Sequence, residues 1–137
     1  MSYPILVAAA IVLLAFLAHV SVGNREAFST RPKTPPADDR KAAVVERNWV
    51  QSLCAFQLVT VDLFALSMLL FVLGATDLLP ARRGVALIAA AFFALWGAAW
   101  LVQLLVLRRR FKDFIVLSQW AFWFVCAGLL FWGAQSL

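Results

Sequence analysis

One histidine, two cysteines and one tyrosine are all that the chain holds of those residue types, and the scarcity removes several chemistries at once. A metal site has little to be built from, because His19 stands without a second imidazole or a cluster of carboxylates around it. Paired histidines for haem and grouped carboxylates for a buried metal centre are missing from the apolar runs as well, so no cofactor is expected. Packing or interfacial anchoring is the reading of His19. Cys54 and Cys126 fall inside apolar runs, outside any Cys-x-x-Cys spacing, which disfavours membrane thiol–disulfide chemistry. Basic residues are absent from both ends, with no Lys or Arg before Arg25 or after Lys112. The first apolar run, YPILVAAAIVLLAFLAHVSVG, therefore lacks the basic n-region of a signal peptide. Its LAHVSVG end is a poor cleavage site, so the run is expected to persist as a helix.

What the chain has in excess is apolar surface. Of 137 residues 64% are hydrophobic and only 14% charged, and the mean hydropathy of +0.89 exceeds what a soluble domain of this size carries. Runs at about 4–22, 50–74, 85–107 and 114–133 are each long enough to cross roughly 30 Å of hydrocarbon. The expected fold is an all-α integral membrane four-helix bundle forming one transmembrane domain over residues 1–137. In the first connection, 23–49, Pro32, Pro35 and Pro36 exclude one continuous helix, and Asp38 or Asp39 is placed to cap a new one near Lys41. The second helix then starts before the bilayer and runs into it. GATDLLPARRG makes helices two and three an antiparallel hairpin, and RRRFKD, residues 108–113, joins three to four.

Charge sets the orientation. The first connection carries Arg25, Arg31, Lys33, Arg40, Lys41 and Arg47, the third carries Arg108, Arg109, Arg110 and Lys112, and the middle one only Arg82 and Arg83. The first and third connections share a side in a four-span protein, so they are expected on the cytoplasmic side of the cell membrane with both termini extracytoplasmic. A net charge of +5 clustered in this way reads as a topology and lipid-anchoring signal, with no nucleic acid partner. Tyr3, Trp49 and Trp132 fall at span edges, as interfacial rings do. Trp96, Trp100, Trp120 and Trp123 lie deeper, as packing or as an aromatic wall around an apolar ligand. Ala86, Ala90, Ala94 and Ala98, beside Gly97, form a small-residue ladder expected to contact another helix.

Polar residues inside the spans need an explanation. At 100° per residue Asn48, Gln51, Ala55, Leu58 and Asp62 share a face of helix two, with Arg47 at its edge. That stripe is expected to point into the bundle or across a subunit interface. Asp62 falls near mid-membrane, where an unpaired carboxylate costs several kcal/mol or more unless it is protonated or watered. No Lys or Arg lies at matching depth; Gln57, Gln103, Ser118 and Gln119 are neutral candidate partners. A structural hydrogen bond and a proton or substrate role both remain open for it. Arg47 and Arg108 to Arg110 either anchor to anionic headgroups or frame an anionic ligand whose apolar part enters between helices.

With four spans, outside termini, a long charged first connection and the run Arg47, Asn48, Trp49, Val50, Gln51, Ser52, the chain resembles the superfamily of membrane-associated proteins in eicosanoid and glutathione metabolism (MAPEG). The second helix of that family opens with basic residues and an Asn-x-x-Glu-Asn motif, on which Asn48 takes the asparagine, Gln51 the glutamate and Ser52 the final asparagine. The resemblance implies a homotrimer with ligand sites between subunits. Glutathione would be co-substrate, and the reaction conjugation or peroxide reduction of a lipophilic substrate arriving from the bilayer. Arg47, Asn48 and Gln51, aided by Arg108, Arg109 or Arg110, would orient the thiol peptide and favour its thiolate. The family's later arginine and tyrosine arrangement has no counterpart, Tyr3 being the sole tyrosine, and no catalytic residue is assigned. Two other classes fit the same residues: a non-catalytic subunit or assembly factor of a larger membrane complex, and a small proton-coupled transporter using Asp62.

Overall fold

The computed structural model describes residues 1–32, 39–107 and 110–137, and every regular element among them is helical. Helix α1 (Tyr3–Ala18) begins with Pro4 in its first turn, where a missing N–H breaks no helical bond. It passes through one π-helical stretch, His19–Gly23, into α2 (Asn24–Ser29). The helical run thus reaches 27 residues, past the end expected near residue 22. Helix α3 (Asp39–Ala75) is 37 residues long and contains neither proline nor a glycine before Gly74. Helices α4 (Arg82–Val106), α5 (Phe111–Val116) and α6 (Gln119–Ala134) complete the chain.

Tyr3–Ser29, Asp39–Ala75 and Arg82–Val106 are long and apolar enough to cross a membrane. Helix α6 is apolar but only 16 residues long, roughly 24 Å at 1.5 Å per residue. The protein is therefore all-α, with several long apolar helices consistent with a multi-span membrane bundle. The shortness of α6 has a local cause. The chain leaves helical geometry at Leu117 and Ser118, and two indoles take the carbonyls in that region: Trp120 Nε1 donates to Phe114 O at 2.9 Å and Trp100 Nε1 to Leu117 O at 3.2 Å. Phe114, expected to open the last span, belongs to the separate short helix α5.

The chain divides into two compact units, one made of residues 1–11 and 68–137, the other of residues 12–67. In the first unit α4 packs along α6. Ala86 and Ala90 are buried as the alanine ladder predicts, but the contact then passes to Phe93 and Gly97, and Ala98 is exposed. Four-residue spacing drifts about 40° per step on a 3.6-residue helix, so by Ala98 the ladder has turned away from its partner. Gly97 takes the place because a Cβ there would stand 3.1 Å from Trp120 O. Phe93 stacks on Trp123 at 5.3 Å, and Trp96 meets Trp123 edge-on at 4.7 Å. These rings pack on one another. The unit is closed by its N-terminal residues: Ser2 N donates to Gly74 O at 2.8 Å, and Ser2 Oγ to Gly133 O at 3.3 Å. Arg82 finishes the end of α3, donating to Leu73 O at 2.9 Å and pairing with Asp77.

Candidate functional site

The second unit holds most of the polar residues singled out above, and α3 positions them on two different faces. One face carries Glu46, Trp49, Leu53, Phe56, Thr60 and Leu63, spaced three and four residues apart, so that they form a single stripe. All are buried or half-buried. Their partners lie on the α1–α2 run of the same unit. Phe64, next to the stripe, meets Phe16 with ring centroids 5.5 Å apart. His19 stacks on Phe56 at 3.8 Å and 11°, and its Nε2 lies 3.2 Å from Phe56 O. A carbonyl only accepts, so Nε2 carries the proton in this contact. Thr60 Oγ1 donates to the same oxygen at 3.1 Å.

Gly23 makes this crossing possible, since a Cβ on it would stand 3.0 Å from Phe56 Cζ. One turn further, Gln57 Nε2 donates to Asn24 Oδ1 at 2.9 Å. Beyond it Arg31 pairs with Glu46 at 3.1 Å and lies 5.1 Å from the centre of the Trp49 ring. Asn24 escaped notice in the sequence because its role depends on which residue of α3 comes opposite. Gln57, read there as a candidate partner for Asp62, is about 140° away from it around the helix and is engaged by Asn24.

The other face of α3 is the stripe Asn48, Gln51, Ala55, Leu58 and Asp62, continued to Ala65. Every one of these residues is exposed, as is Arg47 at the edge. Within its own unit the stripe therefore faces outward. Asn48, Gln51 and Asp62 make no side-chain hydrogen bond or ion pair with any described residue. The neutral candidates Gln103, Ser118 and Gln119 are themselves exposed and belong to the first unit. Arg110, also in that unit, is exposed and starts α5, its backbone N–H donating to Asp113 Oδ2 at 3.1 Å. Arg108 and Arg109 lie outside the described residues, as do Lys33, Pro35, Pro36 and Asp38.

The first unit has an apolar cleft of about 600 Å³ whose lining includes Tyr3, Val7, Leu129 and Trp132. Its only tryptophan is Trp132, none of the four deeper ones. No protein-family model, curated protein or solved structure matches the chain. What fold and site define is thus a class, a helical membrane-spanning protein whose longest helix keeps one polar face outside the packing of its own unit.

Proposed function

We propose that the protein acts as a subunit of a membrane assembly, and that its functional surface is completed only by another chain. One observation carries this reading: Asn48, Gln51 and Asp62 are exposed on one face of an apolar helix and have no partner among the described residues. The Asp62 carboxyl group turned to hydrocarbon forfeits hydrogen bonds at a cost of kcal/mol, and the amides of Asn48 and Gln51 stand on the same face at the edge of the apolar run. A neighbouring polypeptide removes that cost. Gentle extraction followed by native mass spectrometry tests the reading. The expected species contains more than one chain, of this protein alone or with another, and a monomer at all detergent concentrations overturns it.

A second reading follows the MAPEG resemblance, and the common exposure of Arg47, Asn48 and Gln51 at the start of the apolar part of α3 favours it. An arginine fork suits a carboxylate, and two amides supply further donors to a peptide. In this reading glutathione binds between subunits of a homotrimer and Arg47 favours the thiolate. Glutathione added to a parallel sample gives the answer: a trimer that gains its mass supports the reading, and an assembly indifferent to it leaves the structural role alone standing.

A further inference from the structure

We propose that the outward stripe of α3 is the seam on which a second copy of this chain docks, side by side and in the same orientation, with Asp62 meeting Asp62. The inference rests on the assembly reading above and names its partner. Asn48, Gln51, Ala55, Leu58, Asp62 and Ala65 alternate spacings of three and four, the repeat with which one helix packs along another. Helix α3 carries that repeat twice. The copy through Trp49, Phe56 and Leu63 is taken up within the unit, whereas the copy through Asp62 is exposed from end to end.

The polar residues decide which partner fits. Asp62 lies well inside an apolar run, so its partner must offer a polar group at the same depth. A second copy in the same orientation does so for all three polar layers together, because each residue meets its own counterpart: carboxyl with carboxyl, Gln51 with Gln51, Asn48 with Asn48. An antiparallel copy centred on Asp62 sets Gln51 against Leu73. Between the polar layers Ala55, Leu58 and Ala65 provide apolar packing, and the alanines let the backbones approach. Polar residues at such core positions fix register and orientation in helix pairs. Each carboxyl group then has a polar counterpart at its own depth, and no third component is required.

Disulfide trapping in native membranes tests the seam. In a Cys54→Ala background, single substitutions Ala55→Cys, Leu58→Cys and Ala65→Cys are oxidised with copper phenanthroline, with Ile88→Cys, 72% exposed on α4, as comparison. The three seam positions are expected to give cross-linked dimers and Ile88→Cys to give none. Adding Asp62→Leu is expected to lower trapping at Leu58→Cys about tenfold, while Asp62→Asn, which keeps a hydrogen-bonding group, stays within about twofold. An assembly seen by native mass spectrometry without trapping at the seam overturns this inference and leaves the assembly reading intact. A monomer without trapping overturns both. Trapping that Asp62→Leu leaves unchanged overturns the part given to Asp62.

Discussion

The two long faces of α3 share one helix and one repeat yet have opposite fates. Along the inner face neighbours of the right kind meet Gln57 (Asn24), Glu46 (Arg31) and the Phe56 carbonyl (His19 and Thr60), while the buried Trp49 Nε1 has no acceptor among the described residues. Along the outer face the polar groups are comparable in number and have none among the described residues. Burying the inner face completes a unit of the fold. The outer face is, by the same physics, where we propose that another chain docks.

The comparison breaks most directly at a pair of leucines. Leu63 is 4% exposed and Leu58, five residues away, is 67% exposed. Leu63→Ala removes packed methyl groups and leaves a cavity, and is expected to cost about 2–5 kcal/mol. Leu58→Ala is expected to stay within about 0.5 kcal/mol in detergent-solubilised monomer. Reversible unfolding of the two variants by steric trapping measures both. Equal losses would mean that the outer face is packed by its own chain after all.

A smaller effect belongs to the crossing at Gly23. Gly23→Val puts branched atoms where a single Cβ already stands 3.0 Å from Phe56 Cζ, an overpacking expected to cost about 1–3 kcal/mol. Because the obstacle is one ring, Phe56→Ala should relieve much of it, and the double variant should be more stable than the sum of the two losses predicts. Additive losses would place the strain in the backbone of the π-helical stretch instead.

How much of this is legible in the sequence depends on how local the cause is. The long apolar runs are readable because hydrocarbon thickness fixes a length and composition fills it. The shared face of Asn48, Gln51 and Asp62 follows from helical periodicity alone. The exposure of that face does not, since it depends on which other stripe of α3 wins the α1–α2 run. The break before α6 hangs on two tryptophans reaching carbonyls six and 17 positions away. The Asn24–Gln57 pair spans 33 residues. No local window of sequence contains the second of these.

His19 sharpens the inner face further. His19→Phe keeps an aromatic ring over Phe56 but loses the N–H given to the Phe56 carbonyl, and is expected to cost about 1 kcal/mol, the range of interhelical hydrogen bonds in membranes. The loss should shrink in a Phe56→Ala background only if stacking matters beside the hydrogen bond. An undiminished loss assigns the effect to the carbonyl, whose position Phe56→Ala leaves in place.

The smallest effect is expected where the inner face leaves the apolar run, at Arg31 and Glu46. Their side chains are 64% and 45% exposed, so the ion pair works against water and lost side-chain entropy and is worth about 0.2–1 kcal/mol in a double-mutant cycle. The Trp49 ring below the guanidinium adds a contact of about 0.5–1 kcal/mol that Glu46 does not share. Arg31→Ala should therefore cost more than Glu46→Ala. Raising the salt concentration should erase most of the coupling in the cycle, because exposed pairs are screened within roughly 10 Å at 0.1 M, while leaving the excess due to Trp49. Coupling that survives high salt would put this end of α3 in a drier setting than its exposure indicates, covered by a neighbour as the outer face is argued to be.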